Sequence, residues 1–144
     1  MSYLLDTNII SFAIKDNLEI KQKLEAMRFQ RIRIYISCIT YFEIKRGLIA
    51  VDAPKQRERF NKLCQDYQII LLDDLAILEK AAEIHANLRL RGLPIQTEDI
   101  LIAATAMVKD LIVVSNDGDF LPNPYTSLIH PRRAAITLFN YSLS

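Results

Sequence analysis

The sequence predicts an α/β domain in which a mainly parallel sheet is sandwiched between helices. Apolar runs of strand length, Tyr3-Leu4-Leu5, Ile69-Ile70-Leu71-Leu72 and Leu111-Ile112-Val113-Val114, alternate with segments whose apolar residues recur at helical spacing. Residues that favour helix starts and turns follow the first and last of these runs, as Asp6-Thr7-Asn8 and Ser115-Asn116-Asp117-Gly118-Asp119. The chain has 144 residues, 51% of them apolar, which suffices for one core without disulfides. Strands that alternate with helices imply βαβ units, and such sheets gather functional groups beyond the carboxyl ends of their strands.

Strand one ends at Asp6, and Ile9, Ile10, Phe12 and Ala13 begin a first helix. A second helix carries Leu18, Leu24 and Met27 among Lys and Glu. Ile32, Ile34 and Ile36 then alternate with Arg33, Tyr35 and Ser37 at the period of a strand, expected to run to about Ile39. Thr40-Tyr41-Phe42-Glu43 has the spacing of a capping box and opens a helix reaching about Val51. Pro54 suits the first turn of the next helix, through Phe60 and Leu63 to Tyr67, and these two helices should form a hairpin. Ile69 to Leu72 reads as a buried strand. Asp73-Asp74 then starts a long helix with Leu78, Ala81, Ala82, Ile84 and Leu88, stopped near Gly92-Leu93-Pro94. Thr97 can cap a further helix whose Ile100, Ile102, Ala103, Ala104, Ala106 and Met107 cover most of its circumference, as expected of a central, buried helix. Leu111 to Val114 is the clearest strand. The three prolines between Leu121 and Arg133 mark a loop, and Ala134 to Phe139 can supply a last strand. With no repeat, low-complexity tract or linker, residues 1–144 read as one domain.

Lys and Arg number 18 against 17 Asp and Glu, a net charge of +1, so any contact with nucleic acid must come from a local patch. Cys38 and Cys64 match neither a zinc-ligand spacing nor a redox pair and read as ordinary core thiols. Only two histidines are present, His85 and His130, which argues against a histidine zinc site or a catalytic triad; His85 falls on a helix surface. No basic stretch precedes an apolar run at the start of the chain, and no segment approaches the roughly 18 apolar residues of a membrane span, so a cytoplasmic protein is expected.

Four acids, Asp6, Glu43, Asp99 and Asp117, each fall where a strand gives way to a helix or loop. Singly, each has an ordinary explanation: Asp6 and Asp117 as turn residues, Glu43 as a member of its capping box, Asp99 as a complement to a helix dipole. Gathered at one edge of a parallel sheet, they would repel one another unless protons or cations intervened, which points to a divalent cation. Mg²⁺ takes oxygen ligands and keeps several waters, so a few carboxylates can hold one or two ions without a closed cage. An ion so placed activates water for attack on a phosphodiester and stabilises the departing oxygen, with no histidine or serine nucleophile. The expectation is a Mg²⁺-dependent nuclease leaving a 3′-hydroxyl and a 5′-phosphate. Thr7, Asn8, Ser37, Thr40, Ser115 and Asn116 adjoin the acids and can hold carboxylates by hydrogen bonds, Thr7 and Ser115 above all; Asn8 and Thr40 are equally explained as caps.

Four segments, in order, resemble the motifs of PIN-domain nucleases, and within them the compact VapC toxins of toxin–antitoxin pairs. Leu4-Leu5-Asp6-Thr7-Asn8 is similar to the opening motif, and Ser37 to Gly47 to the second, which carries the glutamate. Gly92-Leu93-Pro94-Ile95, then Asp99 with Leu101-Ile102-Ala103-Ala104, is similar to the third, and Val113 to Phe120 to the last. The resemblance spans nearly the whole chain and implies a PIN-like α/β/α sandwich. It implies a Mg²⁺ or Mn²⁺ site of Asp6, Glu43, Asp99 and a fourth acid, either Asp117 or Asp119, with Asp117 favoured as nearer the strand end. It also implies an endoribonuclease acting on tRNA or rRNA as the toxin of a type II pair, a homodimer, and a VapB-like antitoxin that blocks the site. The chain departs from many relatives after Phe120, where Pro122 to Arg133 are inserted.

Around the acids, Lys45, Arg46, Arg89, Arg91, Arg132 and Arg133 are the candidates for phosphate contacts, each also explicable as a solvent-facing charge. Ile44, Leu48, Phe60 and Leu63 can either line an antitoxin groove or belong to the core. Two other readings keep the fold: a housekeeping PIN nuclease of RNA processing or decay, and a non-catalytic module binding RNA or protein. A nucleotide-binding α/β protein ranks last, because no Gly-rich phosphate loop follows any strand and the chain has only 3 glycines.

Overall fold

The computed structural model describes residues 2–90, 92 and 96–114. These form four strands and six helices: β1 Ser2–Leu5, α1 Thr7–Ile14, α2 Leu18–Phe29, β2 Arg33–Ser37, α3 Cys38–Ala50, α4 Pro54–Asp66, β3 Gln68–Ile70, α5 Leu75–Leu90, α6 Thr97–Val108 and β4 Ile112–Val114. The sheet is parallel throughout, in the order β3-β2-β1-β4. Leu5 pairs with Ile36 on one side and Val114 on the other, so three strands end together at one edge.

Alternation along the strands assigns side chains to two cores. Tyr3 and Leu5 of β1, Ile34 and Ile36 of β2, and Ile112 and Val114 of β4 join one cluster with Ile9, Ile20, Ile44 and Phe60 from α1, α2, α3 and α4. Leu4 and Val113 join the other, with Ile77, Ile84, Ile102 and Ala104 from α5 and α6, and Tyr35 packs against it. An α/β/α sandwich results, as the spacing of apolar runs predicts.

Several boundaries differ from the expected ones. The second strand stops at Ser37, whose Oγ accepts a hydrogen bond from Ile39 N at 3.1 Å and caps α3. Thr40 is therefore the third residue of the helix and Glu43 the sixth, and there is no capping box at 40–43. Both serine and threonine make good caps, and the strand's own end decided between them. The third strand is a short edge strand whose Ile69 and Ile70 are half-buried while Leu71 is exposed, so it is not the buried strand expected. In α5 the buried stripe is Ile77, Ala81, Ile84 and Leu88; Leu78, Ala82 and His85 face solvent. Gln96 stands at the N-cap of α6 without a side-chain cap bond, so Thr97 opens that helix rather than capping it. Cys38 and Cys64 are free and half-buried, and burial pushes the Cys64 thiol up.

Helices α3 and α4 pack through the Tyr41 and Phe60 rings, 5.5 Å apart, and both lie against α1. Ile44, Leu48 and Phe60 are buried in this region and belong to the core, with Leu63 half-buried against them. Three helices end without glycine. Asp16, Arg31 and Asp110 take left-handed φ values of 67°, 59° and 54°, and the next residue's N–H reaches back to Phe12 O, Met27 O and Ala106 O respectively.

Candidate metal centre

Asp6 follows directly on β1, and its own N–H donates to Val114 O at 2.9 Å, so it extends the β1–β4 ladder by one step. It is also the N-cap of α1: Thr7 N donates to Asp6 Oδ1 at 2.7 Å. Only 3% of Asp6 is exposed, which makes it a buried carboxylate at the mouth of a helix whose dipole favours negative charge there.

Glu43 reaches the same place from α3. Thr7 Oγ1 donates to Glu43 Oε1 at 2.9 Å and lies 3.0 Å from Thr40 Oγ1. Thr7 thus places its backbone N–H on one acid and its hydroxyl on another, joining residues far apart in sequence. No cation among the described residues pairs with Glu43.

Asp99 lies in the first turn of α6, half-buried. Since α6 carries the chain back to the start of β4, its first turn belongs at the carboxyl edge of the sheet, and α6 packs on α3 there. Helices α1, α3 and α6 therefore direct their N-termini to the edge where Asp6, Glu43 and Asp99 stand.

The donors offered are hard oxygens, the set that suits Mg²⁺ or Mn²⁺ and not a thiolate or imidazole metal. Among the described residues no group of three or more His, Cys, Asp or Glu side chains converges closely enough to hold an ion by itself. Asp6 and Glu43 are brought together, with Asp99 on the same edge. Asp117 and Asp119, the alternative fourth acids, lie outside the described residues, as do Ser115, Asn116, Arg91, Arg132, Arg133, the 122–133 segment and the expected last strand. β4 delivers the chain to this edge beside Asp6 just before that final motif.

The supporting residues divide differently from expectation. Thr7 donates to both Asp6 and Glu43. Ser37 is a helix cap, and Asn8 is a half-buried second residue of α1. Thr40, expected as a cap, is instead fully buried against Thr7. The signal in the sequence was its position three residues before Glu43, which puts both on one helical face.

The basic candidates also separate. Lys45 is two residues from Glu43 and so on the far side of α3, where its charge is felt by Cys64 of α4. Arg46 is exposed, its guanidinium 5.3 Å from the centre of the Phe42 ring, and Phe42 is itself 58% exposed. Arg89 is exposed in the last turn of α5.

Comparison with known proteins places the chain in a wider group. Residues 3–122 match the model of the PIN domain. The chain is 26% identical over 139 residues to plasmid stability protein StbB of Pseudomonas syringae pv. tomato, covering 91% of this chain and 99% of that protein. It is 26% identical over 117 residues to ribonuclease VapC1 of Haemophilus influenzae, covering 81% of this chain and 87% of that one. Among solved structures, DNA-bound VapBC from Salmonella typhimurium superposes with a TM-score of 0.76 at 26% identity, over 87% of this chain and 94% of its own.

Proposed function

The chain belongs to the PIN-domain family, and from that premise we propose that it is a metal-dependent endoribonuclease acting as the toxin of a type II toxin–antitoxin pair. The observation that carries the reading is the joint hold of Thr7 on Asp6 and Glu43 at the carboxyl edge of the sheet. A buried carboxylate and a second one that accepts from the Thr7 hydroxyl bring negative charge to one edge, where a divalent cation would be favoured. The likeness to a ribonuclease, to a plasmid stability protein and to a VapBC assembly supports the biological role, including a VapB-like protein partner.

Asp6, Glu43 and Asp99 would hold Mg²⁺ or Mn²⁺, with Asp117 as the fourth acid and Asp119 as its alternate. When bound, the ion supplies Lewis-acid activation of water and neutralises charge on the phosphodiester. The chain's own residues do the rest. The N-termini of α1, α3 and α6 favour the approach of a phosphate to the same edge. Thr7 keeps Asp6 and Glu43 at fixed orientation, so little reorganisation is needed when substrate arrives. Arg46 and Arg89, with Arg91, Arg132 and Arg133, supply phosphate contacts and make binding salt-dependent. The substrate is RNA, tRNA or rRNA, met in the cytoplasm, and the active form is a homodimer.

Incubation of the purified protein with total cellular RNA, in Mg²⁺, in Mn²⁺ and in EDTA, tests this. Cleavage is expected with either metal and none with EDTA, and Asp6→Asn should be inactive throughout. Cleavage that survives EDTA, or that Asp6→Asn carries out at the wild-type rate, overturns the proposal.

A further inference from the structure

The hydrogen count at Thr7 fixes the direction of a chain that reaches a third residue. An ionised carboxylate can only accept, so the single hydroxyl proton of Thr7 belongs to Glu43 Oε1, 2.9 Å away. The 3.0 Å contact between Thr7 Oγ1 and Thr40 Oγ1 must then be donated by Thr40. Thr40 and Thr7 come from different helices, and Thr40 has 0% of its surface exposed. We infer that Thr40 is a positioning residue for the metal centre: its buried hydroxyl donates to Thr7 and so commits the proton of Thr7 to Glu43. This rests on the metal-binding reading above.

The physical reason is rotational. A threonine hydroxyl can point its proton into any of three staggered wells, and its side chain has more than one rotamer in a helix. A donor fixed on the lone pair of Thr7 removes the alternatives in which Thr7 turns its proton toward Thr40. What remains is the arrangement with the proton on Glu43 and the backbone N–H on Asp6. Thr40 touches neither metal nor substrate in this scheme and acts only through Thr7.

Two substitutions separate the hydroxyl from the methyl. Thr40→Val keeps the shape and loses the donor, whereas Thr40→Ser keeps the donor and loses the methyl. Mn²⁺ affinity of the purified full chain, measured by isothermal titration calorimetry, is expected to fall about 10-fold in Thr40→Val and to stay near wild type in Thr40→Ser. Thermal unfolding without metal should show the opposite ranking, since the serine leaves a small void. Thr40→Ala, which lacks the hydroxyl without crowding the site, should lose affinity as the valine variant does. Wild-type affinity in both Thr40→Val and Thr40→Ala overturns the inference, as does affinity that merely tracks unfolding temperature across the three variants. If the wild-type chain binds no Mn²⁺, the metal reading itself falls and this inference with it.

Discussion

Glu43 at the carboxyl edge and two acids on the outer face of the same molecule, Asp16 and Asp66, are held in opposite ways. Asp16 and Asp66 sit on the surface beside cations: Lys21 and Arg59 for the first, Arg28 for the second. The hydrogen bond and charge of Lys21, with help from Arg59, hold Asp16 below the usual carboxylate range. Glu43 is held by a neutral hydroxyl, and that hydroxyl is backed by another. The outer acids have their charge answered by neighbouring cations, whereas among the described residues no cation pairs with Glu43. Orientation without neutralisation is what a cation site needs, because a built-in lysine or arginine would compete with the ion.

Substitutions can break that comparison or sharpen it. The largest effect belongs to Asp6→Asn, expected to lower RNA cleavage by on the order of 100-fold or more, because a ligand charge is lost. Asparagine still caps a helix, so the unfolding temperature should change little. Glu19→Gln, in the first turn of α2 and outside every motif, should cleave as wild type does, and equal losses in the two variants would erase the distinction. Next in size, Thr7→Val should weaken Mn²⁺ binding about 10- to 100-fold, read by calorimetry, since it removes the donor to Glu43 while leaving the backbone N–H on Asp6.

The outer region gives smaller, pH-dependent effects. Burial pushes the Tyr67 phenol up to about 12, against a partial opposing pull from Arg28. Folded protein thus keeps this proton where the unfolded chain, with an ordinary tyrosine near 10, has released it. Stability is complete below about pH 10 and is lost as pH rises from there towards 12. Unfolding temperatures between pH 9 and about 11.5 should fall in the wild type and fall less in Tyr67→Phe. Smallest is Arg28→Ala, which opens an exposed pair with Asp66 and should cost about 1 kcal/mol or less in denaturant unfolding at neutral pH, with Mn²⁺ binding unchanged. A loss of metal affinity there would mean that the two regions are coupled.

Much of this was written plainly in the sequence, for physical reasons that also explain the exceptions. Strands such as Ile112–Val114 and helices such as α6 announce themselves because burial on several sides demands unbroken apolar pattern. The acids at 6, 43 and 99 were visible because helix starts in a parallel sheet share an edge. Edge strand β3 looked buried, since four apolar residues in a row do not say how many neighbours a strand has. The sequence places the start of α3 at Thr40, three residues late, because Ser37 and Thr40 are both competent caps. Which one caps is settled by where β2 stops pairing with β1, a tertiary fact. The role of Thr40 was hidden for the same reason: its partner is thirty-three residues away on another helix.

The sheet order carries a consequence for how the molecule comes to be made. Of the described strands β1 is the first to be synthesised, yet it lies inside the sheet, and one of its two neighbours, β4, is the last of them. At ordinary rates of elongation that wait lasts roughly 5–20 s. Until Val114 arrives, the backbone N–H of Asp6 lacks the carbonyl that anchors it. A nascent chain therefore carries Asp6 and Glu43 in an unfinished setting until β4 has paired with β1. For a PIN-domain chain, this topology puts the closing of the edge after the synthesis of every helix that flanks it.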